Sequence, residues 1–485
     1  MSLKKKTLNG VLWTFLQQFS VQGINFCVQI VLARILLPEA FGLIAMIQIF
    51  MAIGQTLMDG GMTSSLIRTQ NVDQRDYSTV FFMNLFSSIF IYFILFFSAP
   101  LIASFFDQPL LTLIVRVYTL SFIIQALVGV QTTRLTKEMN FRLQMYMQIP
   151  STFFGGIIGI ILAYQGFGVW SIVWMNLAAT TLFMLQHWFK TDWRPSFLID
   201  KEKLKFHFNF GYKLTFSGLL TSVYSNSYTL IIGKLFSATQ LGFYNQANTL
   251  RMFPVSNITS ALQKVTYPVF SSLQDNDEKL KMVFKKITSL VIFIVCPVML
   301  FLIVIAEPLF RFVLTEKWLP AVPYFQILCV SAIVYPLSMY NLNIVLAKGR
   351  SDLHFKLEII KKGTSILFLF LIIPFGIWGA VYAQAISMLI HAFVNTLYSG
   401  RMINYSVISQ LKDILPVLTI GFITLLISFF IDSYLKQLFN LSDISRIGLS
   451  FISYFTLFLT SSYIFKIGSL LELKGLLTQM LAKFK

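Results

Sequence analysis

Acidic side chains are scarce in this sequence: Asp and Glu number 20 in 485 residues, beside 38 Lys and Arg. Charged residues of both signs reach only 12%, roughly half the share of a soluble domain, which excludes a soluble fold with a single anchor. Cysteine is rarer still. Cys27, Cys296 and Cys329 all lie in apolar stretches without pairing or ligand spacing, so neither a disulfide framework nor a thiolate metal centre is expected and the three read as packing residues. No Ser/His/Asp arrangement, metal-ligand cluster or phosphate-cradling glycine loop is present.

What remains is hydrophobic. Apolar residues make up 56%, phenylalanine alone contributes 50, and the mean hydropathy is +0.73. The expected fold class is an all-α polytopic membrane protein. At about 20 apolar residues per crossing, about 14 transmembrane helices fall near 10–32, 41–66, 79–98, 110–130, 145–164, 168–188, 213–233, 242–268, 286–306, 322–346, 362–374, 376–398, 414–431 and 447–465. The eleventh is short as drawn and is expected to begin nearer His354. The N-terminal MSLKKKTLNG resembles the charged region of a signal peptide, but the apolar stretch after it is too long and lacks a cleavage site, so an uncleaved first span is expected.

Charge bias orients the chain. With the N-terminus inside, 29 of the 38 basic residues are cytoplasmic, six are outside and three, Arg116, Arg251 and Lys264, lie within spans. Both termini are then cytoplasmic. The net charge of +18 is explained by basic loops beside anionic lipid, and no nucleic-acid partner is expected. The outer loops are short, and the first, LLPEA, has Glu39 as its one acid. An enzyme acting outside the membrane has no room for its catalytic groups there.

The chain matches itself at an offset of 200. LARILLPEAFGLIAMIQIF from Leu32 overlies IGKLFSATQLGFYNQANTL from Ile232, pairing Arg34 with Lys234, Gly42 with Gly242 and Gln48 with Asn248. An offset of 208 pairs Gly168-Val169-Trp170 with Gly376-Ile377-Trp378. Six spans separate the first copy from the second, so the repeats are parallel, with a pseudo-two-fold along the membrane normal. The expected organisation is an N-terminal six-helix bundle (1–188), a cytoplasmic linker with an amphipathic surface segment (189–212), a C-terminal six-helix bundle (213–400), two C-terminal helices (401–466) and an amphipathic cytoplasmic tail (467–485).

The polar residues inside spans are few and patterned. Gln18, Gln22, Asn25 and Gln29 recur at steps of four, three and four, which places them on one side of a helix. Their +200 counterparts include Ser222, Ser225 and Thr229; Gln48, Gln55, Asp59 and Thr63 stripe span 2, and Gln384, Ser387, His391 and Asn395 stripe span 12. Such residues hydrogen-bond neighbouring helices in many membrane proteins. As a symmetry-related set they point to a shared, wet cleft. Arg251, Arg116 and Lys264 would make that cleft cationic, suited to phosphate or pyrophosphate. Lys264 and Arg116 also have snorkelling readings, and Arg34 a helix-end anchoring one. Asp59 has three open roles: pairing with Arg68, capping, or holding a coupling H⁺ or Na⁺. His391 is a hydrogen-bonded polar residue or a proton relay.

LARILLPEAFGLIAM, DGGMTSSLIR, FNFGYKLTFSGLL, the Gly-Phe-Tyr-Asn-Gln-Ala of 242–247 and EPLFRFVLTEKWLPA resemble bacterial Wzx-type polysaccharide flippases over about residues 5–465. These are members of the multidrug/oligosaccharidyl-lipid/polysaccharide exporter superfamily, and the likeness is greatest to the colanic- and teichuronic-acid-type branch. The resemblance implies a MATE/MurJ-like, V-shaped pair of six-helix bundles that moves a polyprenyl-pyrophosphate-linked oligosaccharide from the cytoplasmic to the outer leaflet by alternating access. It implies a cationic central cavity, for which Arg251, Arg116 and Lys264 are the candidates, with Gln18, Gln22, Asn25, Asn248 and Arg34 as further cavity candidates. It implies no cofactor beyond an H⁺ or Na⁺ gradient, and polysaccharide assembly machinery as partner. A multidrug or metabolite antiporter and a peptidoglycan lipid-precursor flippase remain as alternatives; the first would be expected to have an acidic cavity.

Overall fold

A computed structural model describes residues 3–439 and 441–483; the side chains of 3–9, 11, 260, 261, 264, 265, 371–373, 439 and much of the segment from 476 onward are not described. The described chain is helical throughout and forms two compact units, Met1–Gly242 and Phe243–Lys485. The first holds α1 (Leu3–Ile35), α2 (Pro38–Asp59), α3 (Met62–Arg68), α4 (Gln74–Phe105), α5 (Leu111–Tyr118), α6 (Leu120–Lys137), α7 (Phe141–Tyr164), α8 (Trp170–Lys190), α9 (Lys201–Ser225) and α10 (Ser227–Leu235). α11 (Ala238–Ser272) begins in the first unit and continues into the second, which also holds α12 (Asp277–Val304), α13 (Ala306–Leu314), α14 (Val322–Ala332), α15 (Tyr335–Ala347), α16 (Ser351–Ile372), α17 (Gly376–Met402), α18 (Val407–Phe439), α19 (Asp443–Ile464) and α20 (Gly468–Lys483). Nine helical segments among the described residues are long and apolar enough to cross a membrane. The other expected spans are also helical but more polar or interrupted, and the eleventh begins at Ser351, close to where it was expected.

Two interruptions have local causes. Span 2 breaks at Gly60-Gly61, whose φ values of +54° and +67° are left-handed and open to glycine at little cost. A Cβ on Gly61 would sit 2.5 Å from the carbonyl oxygen of Gly211 in α9. The Asp-Gly-Gly sequence therefore ends α2 at Asp59 and lets α9 cross it backbone to backbone. At the opposite end of α2, Gly42 faces Ala238 and Gly242 faces Pro38; a Cβ there would lie 1.7 Å and 2.0 Å from the respective carbonyl oxygens. These are +200 partners exchanging equivalent contacts, all four residues belonging to the first unit.

The expected linker is not a loose connection. Residues 201–212 are the first turns of α9 itself, and the unit boundary falls after Gly242. The reason is a polar latch that the sequence analysis did not find. His207, fully buried, lies between the Ser65 hydroxyl of α3 (2.8 Å to Nδ1) and the Asp76 carboxylate of α4 (3.1 Å to Nε2), while Lys203 Nζ donates to the other Asp76 oxygen at 2.9 Å. The preceding stretch follows α4: the Ser196 and Asp200 amides donate to Ser78 Oγ (2.9 Å) and Thr79 Oγ1 (3.0 Å). Trp193 packs with Met62, Leu66, Val80, Phe81 and Val130 in an apolar core beneath. The segment 201–210 is thus the start of α9, anchored through His207 with Phe206 and Phe208 left exposed.

Removing the ring of His207 would leave Asp76 and Ser65 buried and short of a partner, at a cost of about 2–4 kcal/mol. Denaturant titration of the detergent-solubilised protein should show His207→Ala destabilised by that amount, with the exposed Glu202→Gln close to wild type.

Candidate functional site

The first unit is hollow. A cavity of about 810 Å³ is walled by α1, α2, α4, α6, α7, α8 and α9. Close helix packing on one side creates room on the other. Gly155 and Gly159 of α7 face Ala179 and Met175 of α8, and Gly156 faces Val28 of α1, each at a distance where a Cβ would clash. These glycines draw α1, α7 and α8 together, so the polar side chains of α6, α7 and α8 line a space instead of meeting.

That lining is polar yet nearly uncharged. Asn25, Gln55, Asn84, Gln125, Gln148 and Asn176 bring amides, threonine and serine hydroxyls add most of the remaining polar atoms, and Asp59 is the one ionisable group among the described lining residues. Asn176 donates to Ile172 O at 2.9 Å, and Gln148 to Thr152 Oγ1 at 3.4 Å. The Oδ1 of Asn84 is buried without a partner. A second cavity of about 310 Å³ shares Gln55, Gln125, Asn176 and Thr180 with the first and adds Gln48 and Ser121. Buried amides need partners. In a membrane unit an open amide-lined space implies water or a hydroxyl-rich ligand.

The family model of polysaccharide biosynthesis proteins matches residues 31–323. The chain belongs to the polysaccharide biosynthesis protein family. Among its relatives, the lipopolysaccharide biosynthesis protein WzxC of Escherichia coli (strain K12) is 25% identical over 410 residues, covering 82% of this chain and 81% of that one. The teichuronic acid biosynthesis protein TuaB of Bacillus subtilis (strain 168) is 24% identical over 356 residues, 73% of this chain and 74% of that one. The lipid II flippase MurJ, in an inward closed conformation, superposes with a TM-score of 0.71 at 15% identity over 94% of this chain and 99% of that one. At that identity the likeness is one of fold.

In this family member only part of the expected site reaches the cavity. Asn25 and Asp59 line it; Gln18 and Gln22, on the same side of α1, do not. Asp59 has no ion pair with Arg68, whose guanidinium instead stacks 4.6 Å over the Phe210 ring. Arg116 is not a cavity cation either: its Nε donates to Phe96 O at 3.3 Å and its guanidinium lies 4.4 Å over the Phe96 ring. Arg34 is exposed in the last turn of α1 and has a contact of its own. The Lys264 side chain lies outside the described residues. The cationic cavity expected from the sequence is therefore not what the first unit contains.

In the second unit several deep polar groups bond to neighbouring helices, while Glu307, Gln326, Asp432 and Lys436 line a cavity of about 380 Å³. Arg251, 3% exposed, donates through Nη1 to Ser331 Oγ (3.3 Å) and Leu328 O (3.4 Å) and through Nη2 to Asn248 Oδ1 (2.7 Å). It ties α11 to α14 and does not face an open space, because hydrogen-bonding carbonyls and amides replace the anion it was expected to meet. His391 sits between Ser365 Oγ (2.8 Å) and Lys361 O (3.0 Å). Asn395 donates to Ser338 Oγ at 2.9 Å, and Asn341 to Thr396 and Gln410 at 3.1 Å each. Arg446, expected in an outer loop, is buried in a two-pronged pair with Asp432 (3.1 and 2.6 Å) joining α19 to α18. The residues missed in the first unit, Asn84, Gln125, Gln148 and Asn176, had a legible signal in part. Gln125 lies four and seven residues from Gly129 and Thr132, and Gln148 and Asn176 each precede a threonine by four, which puts each set on one helix face.

The difference between units is measurable by thiol labelling. In a Cys27→Ser background, with Cys296 and Cys329 buried, single cysteines at Asn25, Gln55 and Thr180 should react with a small water-soluble maleimide. Cysteines at Asn341 and Asn395 should react at least about tenfold more slowly, as expected for positions enclosed in packed, hydrogen-bonded helices.

Proposed function

We propose that this protein carries a polyprenyl-pyrophosphate-linked oligosaccharide repeat unit from the cytoplasmic to the outer leaflet of a bacterial cytoplasmic membrane, for cell-surface polysaccharide synthesis. The observation that carries the reading is the amide-lined cavity inside a membrane unit of a polysaccharide biosynthesis protein. A glycan head entering hydrocarbon loses hydrogen bonds to water at each hydroxyl, costing roughly 2–7 kcal/mol per unpartnered group. Asn25, Gln55, Gln125 and Asn176 replace those bonds, and the polyprenyl tail stays in lipid. Rocking between two alternately open states would move the head across. With both termini cytoplasmic, the basic loops face anionic lipid, and the polysaccharide assembly machinery would receive the product outside.

Arg116 and Arg251 are assigned structural roles in this reading, since both are engaged by neighbouring helices. Asp59 is the place in the first unit where a coupling H⁺ or Na⁺ would bind. No cofactor or catalytic step is invoked. A cation antiporter is the second reading, favoured by Asp59 being the only charge among the described lining residues of the cavity.

Proteoliposomes loaded with undecaprenyl-pyrophosphate tetrasaccharide separate the two. Wild type should increase the fraction of glycan open to an added glycosidase above that in protein-free vesicles. Gln125→Leu/Asn176→Leu should slow this by on the order of tenfold or more, the equivalent of two lost hydrogen bonds at about 1 kcal/mol each. No increase with wild type, together with proton-driven uptake of an organic cation such as ethidium, would replace the flippase with the antiporter.

A further inference from the structure

We infer that a small cavity at the ends of α6 and α8 binds an amine-bearing phosphate ester of the phosphoethanolamine type, supplied by a phospholipid headgroup or as the free ester. The inference does not depend on the flippase reading, because this cavity shares no lining residue with the amide-lined one.

The cavity, about 200 Å³, lies where α6 and α8 end and α7 begins. At roughly 30 Å³ per water it has room for about six, which suits a headgroup and not an oligosaccharide. Residues at i, i+3 and i+7 share a helical face, so Gln131, Arg134 and Glu138 meet the space together. Gln131 is the observation that points to a ligand. It is 1% exposed, and neither its amide nitrogen nor its amide oxygen has a partner among the described residues, where a buried amide is ordinarily paired. Arg134 Nε is likewise buried and unpartnered. Satisfying both ends of one amide takes a ligand that accepts and donates.

The charges on the lining are of both signs. Arg134 and Lys190 are cationic, Glu138 and Asp192 are anionic, and Arg134 Nη2 lies 3.5 Å from Glu138 Oε1. A bare anion would gain from the first pair and lose to the second. A ligand with phosphate at one end and ammonium at the other meets both. Arg134 Nε, Lys190 Nζ and Gln131 Nε2 donate to phosphate oxygens, while Glu138, Asp192 and Gln131 Oε1 accept from the ammonium. Lys190 Nζ uses one donor on Gln186 Oε1 at 3.0 Å and has others to give. Both acids are exposed and Arg134 is half-buried, which sets the amine at the rim and the phosphate inside. The amine is primary. Tyr77 and Trp193, the rings beside the site, already hold the Arg134 guanidinium at 5.3 and 5.8 Å from their centroids, and a quaternary nitrogen has no N–H for the carboxylates. Phe189, next to Lys190, is exposed and gives the chains of a lipid an apolar surface to lie on.

The test uses the full chain in detergent, with Cys27→Ser and a reporter cysteine at Thr191 in the cavity wall. The readout is protection of the reporter from a neutral maleimide. O-phosphoethanolamine should half-protect at a concentration at least about tenfold below inorganic phosphate, phosphocholine or ethanolamine, as expected for one charge-assisted hydrogen bond. Gln131→Leu should raise that concentration about tenfold. Glu138→Gln/Asp192→Asn, confined to exposed positions, should bring phosphoethanolamine and phosphate within about threefold, a change that loss of fold does not produce. Nanodiscs separate the two sources. Protection in phosphatidylethanolamine but not in phosphatidylcholine or phosphatidylglycerol assigns the lipid headgroup, and protection by the soluble compound alone assigns the free ester. Equal protection by phosphate or phosphocholine, a preference unmoved by the double variant, or no protection by either source would overturn the inference.

Discussion

An amide inside hydrocarbon is costly until something hydrogen-bonds it, and this requirement organises both halves of the molecule. In the second unit Asn341, Asn395 and His391 bond across α15, α16 and α17, and the buried Arg251 is held by Ser331 and Asn248. The first unit leaves comparable groups facing a space. Repeats that share a sequence pattern have therefore put these polar residues to different uses, one set as packing and the other as a lining.

Backbone geometry makes the lining possible. Glycines on α7 bring α8 and α1 into near-backbone contact, and the polar faces of α6 and α8 are held apart across the cavity. The left-handed Gly60-Gly61 pair ends α2 and fixes Asp59 at the cavity wall. The latch of Asp76, His207 and Lys203 then holds α9 against α3 and α4, closing the wall that Leu214 and Thr215 complete. Each element can be traced to a short sequence feature, yet the cavity belongs to none of them alone.

Much of the architecture was legible before the structure. Hydropathy placed each expected span on a helix, and the +200 repeat anticipated that Gly42 and Gly242 occupy equivalent positions, though not that they face each other's first turn. The site was less legible. Spacing put Asn25 and Asp59 on polar faces, and both line the cavity, but it could not set Gln18 and Gln22 apart from them, because a helical face does not reveal which of its turns meets a space. Charge misled most. Arg251 and Arg116 looked like ligand groups because an unpaired membrane arginine is expensive, whereas backbone carbonyls, a serine and an aromatic ring supply the compensation. Such partners are not identifiable from sequence. His207 and Asp76, 131 residues apart, likewise become a pair only through the fold.

The central claim is that the amide-lined cavity of the first unit holds water while the helices around Asn341 and Arg251 pack without it. An electron-density or cryo-EM map of the protein in lipid nanodiscs, at a resolution that shows ordered solvent, addresses it directly. The account predicts solvent or ligand density between Asn84, Gln125 and Asp59, and none around Asn341 or Arg251. Side chains or lipid filling the first space, or a water-filled channel reaching Arg251, would contradict it.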